Sequence, residues 1–281
     1  MTIESSAAET SDGAGEGAAL FERDGSRVIP SDHARGPWRP DALHGGAVAA
    51  LLAGAIDVPG WTPARVTIDL LAPVPAAPLE LSVTRPEGGR RVLRQVITLL
   101  AADVPVARAH CLAVRRAELD LPDGVTDHPD PFAGVQVPDL SRPTPGAREA
   151  VGWECFDASA VRVRQLKSPD VGEGSIGLWV SLLMPVIAGE PTPAIARLAA
   201  AADYGSTATN ARLPFEEWSF MNAELTLHVS REPVGPWVGL VSTGVVQPIG
   251  CGLSTAGLYD SAGRLGQSAQ ALVVEARART T

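Results

Sequence analysis

The chain lacks any uninterrupted apolar run of the roughly eighteen residues a membrane-crossing helix needs, although 45% of its residues are hydrophobic. A soluble protein with ample core material is therefore expected. Paired cysteines are missing too. Cys111, Cys155 and Cys251 are odd in number and far apart, which excludes a disulfide framework and a zinc-type spacing and leaves three buried thiols as the expectation. A concentrated basic stripe is also absent. With a formal net charge of -9 and scattered arginines, a surface that tracks nucleic-acid phosphates is excluded, whereas a nucleotide tail that needs only a few Arg is not. Walker-type loops, a dinucleotide glycine fingerprint and a Gly-x-Ser-x-Gly elbow do not occur, which removes most support from nucleotide hydrolysis and elbow-type serine chemistry.

The first residues, 1–18, are Ser, Ala, Gly and acid with no basic cap or apolar core. They read as a flexible tail rather than a secretory signal, so a cytoplasmic location is expected. The stretch 119–150 is rich in Pro, Asp and Gly, has no hydrophobic period, and reads as a linker between modules at 19–118 and 151–278. In the first module a strand is expected over Phe21 to Ile29. Leu43-His44-Gly45-Gly46 then opens a buried helix to Ile56, and strands follow at Arg65 to Leu71, Leu79 to Arg85, Arg91 to Ala101 and Val106 to Arg115. The order returns in the second module. Strands are expected at Trp153 to Val163 and Ser175 to Leu183, a helix at Pro193 to Tyr204, and strands at Trp218 to Ser230, Trp237 to Val246, Gly250 to Tyr259 and Gly266 to Ala276.

The last strands also rhyme, Ala109 to Val114 against Ala269 to Val274. The rhyme suggests a duplication with a pseudo-two-fold axis and a site at the joint, and it sets His110 opposite Gln270. An antiparallel layer around one Ala-rich helix, made twice, is an α+β tandem double hotdog.

The landmarks His44-Gly45-Gly46, Ala200-Ala201-Ala202-Asp203, Phe220 to His228, Arg231-Glu232-Pro233 with Trp237, and Asp260 to Leu265 leading to Gln270 resemble, in their order and spacing, the acyl-CoA thioesterase II family in its divergent branch. The likeness runs from about Phe21 to Ala276. It implies hydrolysis of an acyl-CoA, or another acyl thioester, to a carboxylic acid and CoA, with no cofactor, no metal and further self-association into a homo-oligomer. It also implies that an Asp, a hydroxyl residue and a Gln hold the attacking water. Counted back from His228, these positions are Asp203, Glu224 and Gln270, with Glu224 where the family has Thr or Ser and Asn222 where it has Asp.

The residues permit that chemistry in their own right. A thioester is already activated, so a carboxylate that deprotonates water and amide groups that hold the oxyanion suffice. Asp203 is the first candidate base and Glu224 its rival, while His44, Gly45 and Gly46 at the first helix's start would approach the substrate. Other readings stand beside these. Asp203 before Tyr204-Gly205 also reads as a helix-ending residue, Asn222, Glu224, Thr226 and His228 as one solvated strand face, and His44 as a cap. Asp41 and His44 are spaced as in an enoyl-thioester hydratase, and a non-catalytic acyl-binding protein would need only the scaffold.

Overall fold

A computed structural model describes residues 17–125, 130–132, 138, 152–166, 171, 174–210, 213–214 and 217–277. Much of the expected linker 119–150, and nearly all of the tail 1–18, lie outside the described residues. A short hairpin, β1 (Phe21–Asp24) and β2 (Arg27–Pro30), comes first. Gly25 turns it at φ +62, so the single strand expected over Phe21 to Ile29 is two. Helix α1 (Gly45–Gly54) starts at His44, whose extended backbone and ring nitrogen cap the amide of Gly46. Every residue from Gly46 to Ala53 is buried. An all-apolar helix of this kind is stable only inside a core, and β3 (Trp61–Leu70), β4 (Leu79–Val83), β5 (Glu87–Gly88), β6 (Val92–Ala101) and β7 (Val104–Arg115) supply it.

The second half repeats the plan. A single π turn at Phe156–Ala160 precedes β8 (Val161–Leu166). The strand expected from Trp153 therefore begins at Val161, because Ala158 N and Ser159 N both bond Cys155 O and curl the chain before a ladder can form. Then come β9 (Ser175–Leu182), α2 (Ala194–Ala202), a 3-10 turn at Asp203–Ser206 and a one-turn α3 (Thr207–Asn210). The strands β10 (Trp218–Asn222), β11 (Glu224–Val229), β12 (Trp237–Gln247), β13 (Cys251–Asp260) and β14 (Gly263–Ala276) complete the chain.

All of these strands share one 14-stranded antiparallel sheet among the described residues, twelve of them ordered β1-β2-β4-β6-β7-β3-β11-β14-β13-β12-β9-β8, with β5 paired to β6 and β10 to β14 beside that path. Read outward from the β3/β11 junction, the halves have the same order: the first long strand after the helix, the last strand, then its predecessors, then the two strands before the helix. Thr67 pairs with Thr226 at that junction. Both helices lie on one side of the sheet, and one continuous core joins them to residues such as Ile68, Ile97, Leu225 and Leu227. Small side chains allow the helices to touch, as where Gly54 meets Ala196.

The thiols divide. Cys111 and Cys155 are buried, and desolvation pushes Cys111 up to about 11, which makes it inert. Cys251, expected to be buried, is exposed because it opens β13 on the face away from the helices.

One buried ion pair locks the second half. Asp260 is 1% exposed and accepts from Arg231 Nη1 at 2.6 Å, Arg231 Nη2 at 2.7 Å, Val234 N at 2.8 Å and Ala262 N at 2.8 Å. Burial works against its charge, but these donors outweigh burial and hold the carboxyl below the ordinary range. A lowered folded pKa gives stability that is complete above the unfolded carboxylate value and lost as pH falls through the folded one. Asp260→Asn should therefore cost about 2–4 kcal/mol at neutral pH, and urea titrations over a pH series should show the gap from the natural chain closing below about pH 4.

Candidate active site

The site forms where the start of α1 meets the end of α2. Asp203, the residue after α2, is 6% exposed, and its Oδ1 accepts from Asn222 Nδ2 at 2.6 Å. Across the helix pair, the Gly46 amide faces both the Asp203 carboxylate and His44 Nδ1, with the latter at 2.9 Å. Glycine is demanded there by space. A Cβ on Gly45 would lie 2.9 Å from Asp203 Oδ1, and one on Gly46 would lie 3.0 Å from the Phe156 ring and 3.1 Å from Ala200 O. The Gly45-Gly46 pair thus sets how closely a helix N-terminus, with its unpaired N–H groups, can approach the buried carboxylate.

Gln270 comes from β14 on the helix side of the sheet, is 1% exposed, and donates through Nε2 to Asp203 O at 3.1 Å. Gly205 makes room for its amide, since a Cβ there would sit 2.9 Å from Gln270 Oε1. Among the described residues, Gln270 Oε1 and Asn222 Oδ1 are buried without a hydrogen-bond partner. Two unsatisfied acceptors therefore accompany the carboxylate.

Glu224 is elsewhere. Asn222 pairs with Leu272 and Thr226 with Ala269, so four residues advance on one strand against three on the other, and Ala223 is the bulge between β10 and β11. The single polar face expected over Asn222, Glu224, Thr226 and His228 is split by it. Asn222 points to Asp203, while Leu225 and Leu227 fill the core and Glu224 turns to the opposite face. There it accepts from Ala271 N at 3.0 Å and lies 2.8 Å from Thr226 Oγ1. The structure thus brings Asp203, Gln270, His44, Gly45 and Gly46 together and leaves Glu224 out.

His110 also differs from expectation. It alternates with buried Ala109 and Cys111, is 42% exposed in its side chain, and stands 3.8 Å from Asp69 on the outer face. Gln270 faces inward, because a one-residue offset in matching two strands reverses the face. The hydratase-like pairing of Asp41 with His44 is not formed either: Asp41 is exposed and bound to Arg39 at 2.6 Å.

His44 instead has two carboxylates that the sequence did not reveal as its neighbours. Its Nε2 is 3.4 Å from Asp157 Oδ2 and its Nδ1 is 3.4 Å from Asp203 Oδ2. Phe156 stacks on the ring at 4.7 Å and Tyr204 at 5.9 Å, and the Tyr204 hydroxyl donates to Asp157 Oδ1 at 2.6 Å. Asp157 and Tyr204 carry no recognisable motif, and only the π turn brings the former to α1. Desolvation raises the Asp203 pKa most and the Asp157 charge adds to the rise, while His44, Asn222 and the Gly46 amide oppose it. The net direction is upward, toward the pKa a general base needs. Desolvation likewise drives Tyr204 well above the phenol range, so its hydroxyl stays protonated as the donor.

An acid whose folded pKa is raised loses stability as pH climbs through the unfolded carboxylate value. Asp203→Asn is accordingly expected to unfold a few degrees higher than the natural chain at pH 7, with the two midpoints converging near pH 4 in calorimetric scans.

Comparisons with known proteins bear on the family and the fold. The model of the acyl-CoA thioesterase N-terminal domain matches residues 34–114, and that of the C-terminal domain matches residues 122–274. A thioesterase II candidate from Thermobifida fusca is 20% identical with TM-score 0.67, covering 91% of this chain and 95% of its own. A hot dog fold protein of unknown function from Alicyclobacillus acidocaldarius is 17% identical with TM-score 0.62, covering 92% and 96%. The acyl-CoA thioesterase II TesB2 of Mycobacterium marinum is 12% identical with TM-score 0.58, again covering 92% and 96%. At these identities the likeness carries the double-hotdog fold. Among curated protein sequences none matches the chain. The matches of both domain models, in order and across most of the sequence, place this chain in the acyl-CoA thioesterase family, as a thioester hydrolase built on a double hotdog.

Proposed function

We propose that the chain hydrolyses acyl-CoA by direct attack of a water held by Asp203, Gln270 and Asn222. The supporting observation is a buried carboxylate with a raised pKa, set at a helix N-terminus and flanked by two buried amide oxygens that lack partners. Asp203 takes one proton of the water, and an amide oxygen accepts the other. The water oxygen bonds to the thioester carbon. Charge then develops on the carbonyl oxygen, which the amide of Gly45 at the positive end of α1 stabilises. Collapse breaks the C–S bond, and the electron pair leaves with sulfur as the CoA thiolate. Glu224 has no part in this scheme, since it lies across the sheet.

Thiol release from short, medium, long and aromatic acyl-CoAs tests the reading. Asp203→Asn should lower kcat/KM by about three orders of magnitude and Gln270→Ala by about one to two, as expected for a general base and a group that orients water. Glu224→Gln should stay within about three-fold of the natural chain. The acid limb of kcat/KM should fall above the ordinary carboxylate range of about pH 4, because the base must be ionised and its pKa is raised. Absence of turnover on every substrate, or a loss in Glu224→Gln equal to that in Asp203→Asn, would overturn the scheme.

A further inference from the structure

We propose that Asp157 is a positioning residue that locks the His44 ring in one tautomer, so that Nδ1 is left as an acceptor for the proton Asp203 takes from water. The inference rests on the reading of Asp203 as the base and deepens it. The ring's orientation follows from its neighbours. His44 Nδ1 accepts from Gly46 N at 2.9 Å, so that nitrogen carries a lone pair and the ring proton sits on Nε2. Nε2 is 3.4 Å from Asp157 Oδ2, an ion-pair distance, and that buried oxygen has no hydrogen-bond partner, so Nε2–H is the donor beside it. Asp157 is held in turn, because the Tyr204 hydroxyl takes its other oxygen at 2.6 Å. Phe156 and Tyr204 fix the plane of the ring. A carboxylate that fixes an imidazole's tautomer in this way acts through the histidine and not on the substrate.

Nδ1 also lies 3.4 Å from Asp203 Oδ2. The Gly46 N–H faces both of these acceptors and relieves their repulsion. The groups facing the pair are few. His44 and Asp157 are the charges that act on Asp203, and Asp157, Asp203 and Cys155 act on Tyr204. Further out, His33 bonds Ser159 and lies 3.7 Å from Glu154. Proton accounting then closes. Asp203 starts ionised and takes a proton from water as the water oxygen bonds to the acyl carbon, and that proton passes to His44 Nδ1 as Nδ1 releases the Gly46 amide. The imidazolium is balanced by Asp157, the freed Asp203 carboxylate regains the Gly46 amide as donor, and the ring returns the proton to the thiolate or to solvent.

The test uses the full chain labelled with 15N-histidine, with His44→Gln identifying the resonances. The natural chain should show a protonated Nε2 and an acceptor-type Nδ1 for His44. Asp157→Asn should replace that pattern by a mixture of tautomers and lower kcat about ten-fold with KM within about two-fold, and Asp157→Glu should recover part of both. Tyr204→Phe keeps the charge of Asp157 and should move both readouts less, in the same direction. Unchanged His44 nitrogens in Asp157→Asn would overturn the proposal, and so would a fall in kcat with the tautomer intact. The spectra need no turnover. If no acyl-CoA is hydrolysed, the hydrolytic reading fails while the spectra still decide the tautomer.

Discussion

The approach of the α1 N-terminus to Asp203 is the contact on which the site depends. A carboxylate removed from water is costly unless something compensates its charge, and here the compensation comes from a helix start, an amide side chain and an imidazole within hydrogen-bonding or ion-pair range. Only glycine lets that helix start come so near, since a Cβ on Gly45 would collide with the carboxylate. Alanine-rich surfaces do the rest by letting α1 and α2 pack closely inside a shared core.

The sheet explains why there is a joint at all. Pairing β3 with β11 gives the two halves a common sheet in mirrored strand order and sets the helices antiparallel, so that each helix start lies beside the other's end. Two pseudo-equivalent sites could arise from this, but their residues differ. At one end stand His44, Gly45, Gly46 and Asp203. At the other, α2 begins after Pro193, which brings no N–H, and the amide of Asp57 is already bonded to Gln95 Oε1. The scaffold is symmetric, whereas the candidate site is built at one end.

Periodicity and glycine placement made the fold legible: the Ala/Leu run after His44-Gly45-Gly46, the alternation of the long strands and the returning order of elements all reappear in the structure. Asp203 and Gln270 could be singled out because their landmarks are ordered along the chain. Asn222 and Glu224 could not be separated, since a one-residue bulge at Ala223 decides which of them faces the helices and period-two reading assumes no bulge. The same sensitivity to register put His110 opposite Gln270. Asp157 was invisible for another reason. Its approach to His44 is made by a π turn between residues more than a hundred positions apart, a contact with no local pattern to announce it.

A single turnover in 18O-labelled water, with enzyme in excess over acyl-CoA, tests most directly whether Asp203 acts on water and not on the acyl group. The account predicts one labelled oxygen in the carboxylic acid released in that first turnover and none in the Asp203 peptide. Label in Asp203 with unlabelled product acid would mean a covalent acyl-aspartate and would contradict it.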